Sequence, residues 1–319
     1  QRAGLPEYRS VITQHLLRHR GLDAATQSVL ATGGTTAAVV EIAAAALRPG
    51  DVVAVEEPGY QRAVRAFRYA GMRVVPVGVD GEGLRCGDIP PGVAAVYCSP
   101  AHQYPMGCRM SASRRVALVE RARADGFLVF EDDYDGELRY DVAPLPMLAA
   151  LAPDVVVHLG TTSKILTPTL GAGWMVAPPG VASAVLDYRD VTGTRASPAG
   201  QRVLVELARH GDLGRHLRKL RRELSERRSM LTGALRRAGV PYLGDDAGAH
   251  LVVPLESGDG ERRRLAEGRE RGLLLDGLGR HFAGTPHAAG IAVGYAGCSR
   301  AELRQVLGVL VEVLRPRRG

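Results

Sequence analysis

Lysine is almost missing from this chain: 39 of its 41 basic residues are arginine, which leaves Lys164 and Lys219 as the lysines. Any chemistry that needs an amine therefore has few candidates. Cysteine is sparse too. Cys86, Cys98, Cys108 and Cys298 form no C-x-x-C pair and have no histidine at metal-ligand spacing. That argues against a zinc site or a disulfide framework and for reduced, buried or half-buried thiols of a cytoplasmic protein. Neither a signal peptide nor an apolar run of membrane-spanning length is recognisable, so no membrane association is expected.

What is present is ordinary for a soluble globular protein: 319 residues, 45% hydrophobic and 24% charged, long enough for two domains. The net charge of +7 invites an anionic partner, but the one dense basic run, Arg215 to Arg228, carries leucines at 213, 217, 220 and 224. That spacing predicts an amphipathic helix with its arginines on the solvated face rather than a nucleic-acid surface.

Residues 5–19 have helical spacing, and from Ser28 strand-like and helix-like segments alternate: SVLAT, TTAAVVEIAAAAL, DVVAVEE, YQRAVRAFRYAG, MRVVPVGV, AAVYCSP, a helix over about 111–125, FLVFEDD and VVVHLGT. The alternation predicts an α/β fold with a mostly parallel sheet covered by helices on both faces. After about residue 190 come two helices, near 198–210 and 212–238, then AHLVVPL, a helical ERRRLAEGRERG, a short GLLLD strand, GIAVGYA and a closing helix. We therefore expect an N-terminal helix segment over 1–22, a large domain over 23–195 and a smaller α+β lobe over 196–319.

In such sheets ligands bind beyond the carboxyl ends of the strands. After SVLAT comes GGTT, where small residues and a helix start suit an anion, so that Gly34, Thr35 and Thr36 are candidates. After DVVAVEE comes PGY, and Tyr60 can stack on a flat cofactor. FLVF is followed by the acid-rich EDDYDGE, costly to bury unless its charges meet cations, metal or hydrogen bonds. Carboxylates so close along a strand end alternate in direction and have no neighbouring histidine, so no metal is expected and one Asp aimed at a protonated ring nitrogen is the economical use. After VVVHLG comes TTSK, placing Lys164 beside Thr161 and Ser163, where low-dielectric walls would let its amine attack a carbonyl. An anion site, an aromatic plate, an acid for a ring nitrogen and one amine together describe a pyridoxal phosphate pocket.

With SPAHQYPMGCRMS, FEDDYDGELRY, GTTSKILTP and GRHLRKLRRELSERRSML, the whole chain resembles the fold-type I aminotransferases of class I/II. Within them it resembles most the aminotransferase-like domain of MocR/GabR-type transcriptional regulators of the GntR family. The resemblance implies pyridoxal phosphate held as a Schiff base on Lys164, Asp132 at the pyridine nitrogen and Tyr134 at the phenolic oxygen. Tyr60 would stack on the ring, with Gly34, Thr35, Thr36 and Thr161 facing the phosphate and Ser163 beside them. His102, Gln103 and Tyr104 fall in the loop where relatives place a residue near that phenolic oxygen.

The chain departs from the family pattern at three places. Gly171 stands seven residues after Lys164, where L-R-L-G-Y supplies a phosphate-binding arginine, and Ala292 stands where L-R-L-G-F supplies the arginine for a substrate carboxylate. Losing one member of such a buried pair costs about 3–5 kcal/mol, which Arg62, Arg65 or a neighbouring subunit would have to offset. The chain also opens just past the family's Y-x-D-P-x-G segment, with a winged helix-turn-helix domain expected upstream. The expected function is an effector-sensing domain that takes a small amine or amino acid, forms a homodimer and meets DNA only through that missing domain. A free-standing aminotransferase of the 2-aminoadipate-like branch and a degenerate domain with weak or no cofactor binding are the alternatives.

Overall fold

The computed structural model describes residues 2–25, 28–140 and 146–315. Helix α1 (Pro6–Arg20) leads into β1 (Val29–Thr32), α2 (Thr35–Ala46), β2 (Val52–Glu57), α3 (Gln61–Tyr69), β3 (Arg73–Asp80), β4 (Gly83–Leu84) and β5 (Ala95–Cys98). The chain continues through α4 (Ala112–Asp125), β6 (Leu128–Asp133), the short α5 (Leu148–Leu151), β7 (Val156–Thr161), β8 (Gly173–Val176) and α6 (Pro179–Thr192). Then come α7 (Pro198–Arg209), α8 (Asp212–Arg237), β9 (His250–Leu255), α9 (Gly258–Glu270), β10 (Asp276–Gly277), β11 (Ala289–Gly294) and α10 (Arg300–Leu314).

Eight strands form one sheet in the order β1-β8-β7-β6-β5-β2-β3-β4. The inner pairs β3/β2, β2/β5, β5/β6 and β6/β7 are parallel. The sheet is thus mostly parallel, as the alternation predicted, and β8 is an exception that runs antiparallel to both β1 and β7. Its central strands are buried along their length, with burial on both faces shown by two separate apolar clusters. One gathers Val39, Ile42, Val64 and Phe67 of α2 and α3 against Val55, Tyr97 and Phe130. The other packs Tyr8, Ile12 and Leu16 of α1 and Leu118 of α4 against Val96 and Val129. Strand order reverses between β5 and β2, the place where an open α/β sheet leaves a crevice at its carboxyl edge.

The second sheet is small, β10-β11-β9, entirely antiparallel. Helix α8 presents Leu213, Leu217, Leu224, Leu231 and Leu235 to the core, as the leucine spacing required. Its arginines are not all on the outer face, however. The buried Arg228 donates to the carbonyls of Gly244 and Asp245, and Arg221 donates to the carbonyl of Glu137. Others pair along or across the surface, Arg215 with Asp212 and Arg227 with Glu223. The four cysteines are free: Cys98 is buried and the others half-buried. Among the described residues no helix is long and apolar enough to cross a membrane.

Candidate functional site

The sequence-expected residues converge at the carboxyl edge of the large sheet. Gly34 caps α2 with φ 108°, a conformation that a side chain would strain, and Thr35 and Thr36 open the helix with N–H groups not used inside it. The Oγ1 of Thr161, at the end of β7, would lie 3.5 Å from a Cβ placed on Gly34. Thr161 Oγ1 and Ser163 Oγ are 2.9 Å apart, and Lys164 follows on the turn. Thr36 Oγ1 lies 3.2 Å from the Tyr60 hydroxyl, and Thr35 Oγ1 donates to Asp132 Oδ1 at 3.4 Å.

The tyrosines complete the ring of contacts. Tyr104 stands edge-on to both Tyr60 and Tyr134, with centroids 6.1 and 6.0 Å apart. The Tyr134 hydroxyl lies 3.2 Å from His102 Nδ1, which is itself 2.8 Å from Asp135 Oδ2. Gln103 is buried and structural: its amide donates to Glu56 Oε2 and to the carbonyls of Pro58 and Tyr104. One expectation needs amendment. Lys164 is exposed rather than walled in by apolar groups. Arg62 and Arg65 are also exposed, on α3, while Ala63, Val64 and Phe67 of the same helix face the core.

The run EDDYDGE is buried from Glu131 to Asp133 and again from Asp135 to Glu137, and the fold supplies the partners that its local sequence lacks. Glu131 accepts from the backbone N–H groups of Leu148 and Ala149 at 2.8 and 3.1 Å and lies 3.7 Å from His158. Asp133 accepts two hydrogen bonds from Arg20, at 2.9 and 2.7 Å. Glu137 meets His15 at 2.9 Å. Burial works against the Glu137 carboxylate, but His15 and Arg20 hold it down at about 2.

Several residues that sequence reasoning did not single out also face the site. Tyr97 of β5 donates its hydroxyl to Asp132 Oδ2. Burial pushes the Asp132 carboxyl up to about 7, against the lowering effect of that bond, and pushes Glu56 up to about 8. From β9 of the second sheet, His250 joins the carbonyl of Pro105 at 3.0 Å, and burial drives it down to about 3. Tyr104 also packs edge-on against His281, which lies 3.2 Å from Asp276. Burial first and then the Asp276 carboxylate push the Tyr104 phenol up to about 12. Ala292 sits directly opposite Asp276 in the ladder, an acid paired with Arg280 at 3.2 Å. Residues 281–284 are tied to the large sheet where Glu57 Oε1 accepts from the N–H groups of Ala283 and Gly284, and where the His281 carbonyl accepts from Gln61 and Gly59.

A parallel-sheet crevice lined by a helix start, an exposed lysine and a buried acid defines a class, and comparison with known proteins places it. The model of the family "Aminotransferase class I and II" matches residues 1–308, and the chain belongs to that family. Its relatives include the probable rhizopine catabolism regulatory protein MocR of Rhizobium meliloti, 31% identical over 96% of this chain and 63% of that protein. They also include the HTH-type pyridoxine biosynthesis transcriptional regulator PdxR of Corynebacterium glutamicum, 33% identical over 98% of this chain and 68% of that protein. The expected likeness to MocR-type regulators is thus found, and the chain spans about two thirds of the length of these relatives. Among solved structures, Pyrococcus horikoshii kynurenine aminotransferase in complex with PMP superposes with a TM-score of 0.88 at 27% identity, covering 98% of this chain and 81% of that one. An archaeal alanine:glyoxylate aminotransferase shares the fold with a TM-score of 0.88 at 24% identity, over 98% of this chain and 81% of that one.

Proposed function

We propose that this chain is the effector-sensing domain of a MocR-type transcriptional regulator, with pyridoxal phosphate held as a Schiff base on Lys164. The observation that carries the reading is the grouping at the start of α2: Gly34 beside Thr161, Thr161 bonded to Ser163 with Lys164 next in the chain, and Thr35 bonded to Asp132. The donor set fits the cofactor. Gly34, Thr35, Thr36 and Thr161 offer small residues, hydroxyls and free N–H groups to its phosphate. Asp132, buried with only hydroxyl partners among the described residues, offers a carboxylate to its ring nitrogen, Tyr134 a hydroxyl to its phenolic oxygen and Tyr60 a face to its ring.

When bound, the cofactor supplies an electron-withdrawing ring conjugated to the carbon of an incoming amine. Lys164 would hold the cofactor, and its exposure would leave the side chain room to move aside for an incoming amine. The hydrogen bonds of Glu57 and Gln61 hold residues 281–284 against the carboxyl edge of the large sheet. Ala292 and Asp276 offer a ligand carboxylate no cation of their own, and Arg62 and Arg65 are the candidates for that role. These features suit recognition of a small amine or amino acid without complete turnover. In the whole protein, a cytoplasmic homodimer on this reading, DNA would be met by a helix-turn-helix part outside these 319 residues.

Incubating the purified chain with pyridoxal phosphate should generate a Schiff-base absorption band that borohydride fixes. Lys164→Ala should abolish the band and Lys219→Ala should leave it. No band at saturating cofactor would overturn the reading.

A further inference from the structure

Tyr97 is a polar side chain in an apolar place. It is 2% exposed on β5, and its ring stands edge-on to Phe67 with centroids 5.9 Å apart, while Phe67 stacks on Phe130 at the same separation. A phenylalanine would fill that space equally well, so the hydroxyl needs its own explanation, because a buried tyrosine O–H must find a partner. Its partner is Asp132 Oδ2. The register makes the contact: Tyr97 lies beside Phe130 on the neighbouring parallel strand, and Asp132, two residues on, points to the same face of the sheet. The other oxygen, Oδ1, has only the long 3.4 Å bond from Thr35.

We propose that Tyr97 is the positioning residue for Asp132: its hydroxyl pins one carboxylate oxygen and stabilises the charged form, leaving the other oxygen free for the N–H of a protonated heterocycle bound between Tyr60 and the start of α2. The inference rests on the pyridoxal phosphate reading of this pocket. The acids around Asp132 oppose its charge: Glu56 at the end of β2, and Asp133 and Asp135 of its own segment, whichever way their side chains point. Tyr97 and Thr35 are the neighbours whose hydrogen bonds favour the anion.

A pH signature separates positioning from packing. Where Asp132 is neutral in the free protein, binding a ring N–H must ionise it, and the Tyr97 bond assists that ionisation. Where Asp132 is already ionised, the bond is present before and after binding and cancels. With pyridoxal phosphate as the probe, and the dissociation constant read from the absorption band between pH 6 and 9, Tyr97→Phe should weaken binding about tenfold near pH 6.5, the usual worth of a hydrogen bond to a charged group. The loss should shrink toward none at pH 9. Against an Asp132→Asn background the same change should add no pH-dependent loss, and this second arm holds even if Tyr97→Phe lowers stability. Unchanged binding at pH 6.5, or an equal loss at every pH, overturns the proposal alone. Failure of the unaltered chain to form the band overturns the cofactor reading and this proposal with it.

Discussion

Gly171 is where the domain's hold on an anion can be altered most directly. The residue has φ 57° at the end of the short turn Pro168–Leu170, and a Cβ built on it meets nothing within 4 Å. It lies next to Ala172, whose carbonyl accepts from the N–H and hydroxyl of Thr162, one residue from the candidate phosphate ligand Thr161. The Cβ of Gly171→Arg therefore meets no steric obstacle, but its left-handed backbone costs about 1–2 kcal/mol. That strain is the same with and without cofactor, so it lowers the melting temperature, by about 1.5–3 °C for a chain of this size, and cancels from the binding equilibrium. A guanidinium reaching the phosphate adds about 1.5–3 kcal/mol, a tightening of roughly ten- to a hundredfold. Titration with pyridoxal phosphate, read at the Schiff-base band, measures this, and Gly171→Ala, which carries the strain without the charge, should bind like the unaltered chain. If Gly171→Arg folds with the lowered melting temperature yet binds no more tightly, another cation already serves the phosphate and the argument from the missing arginine is wrong.

Arg20→Ala should destabilise the chain by about 3–5 kcal/mol, because it strands the buried Asp133 carboxylate without its two hydrogen bonds; urea unfolding measures this, and a loss under 1 kcal/mol would show that Asp133 finds another partner. The pH dependence has two limbs. His250, lowered from 6.5 to about 3 by burial, binds fewer protons folded than unfolded, so its contribution is full above pH 6.5 and drains away as pH falls toward 3. Glu56, raised from 4.5 to about 8, binds more protons folded, so its contribution is full below pH 4.5 and drains away as pH rises toward 8, with Asp132 acting in the same sense. Glu56→Gln, which mimics the neutral acid, should accordingly raise the urea midpoint relative to the parent at pH 8 more than at pH 5; an equal change at both would refute the assignment.

Much of the scaffold was legible because it is written in local patterns. Alternating strand and helix segments announce a covered parallel sheet, and the glycines, hydroxyls and lysine that follow the strands announce its working edge. Strand β8 and helix α6 were not seen. The four residues GWMV read as the tail of a glycine-rich loop, and their pairing with β1 and β7 depends on Trp174 packing where Gly160 has no side chain, its ring 2.1 Å from where a Cβ would stand. Tyr97 was passed over because a tyrosine in an apolar strand reads as core. Its neighbour Asp132 is 35 residues away in the chain, and only the strand order brings them together. The partners of EDDYDGE are equally remote: His15 and Arg20 lie more than a hundred residues upstream of the acids they serve.

Those partners also decide which acid of the run serves a ligand. Burying a carboxylate is tolerable when a cation or several N–H groups meet it. Asp133 has Arg20, Glu137 has His15, Asp135 has His102, and Glu131 has two backbone N–H groups and His158. Asp132 has two hydroxyls, one of them at 3.4 Å. Alternation along β6 turns it away from Glu131 and Asp133 toward the face covered by α2, where no cation in the described contacts reaches it. Its charge is therefore the least compensated of the run, which is why burial lifts it to about 7. A protonated ring nitrogen would supply the missing positive partner, whereas at Asp133 or Glu137 it would have to displace one already in place. Local sequence shows a crowd of equivalent acids. The fold distinguishes them by their partners, and the acid met by hydroxyls alone is the one beside the start of α2.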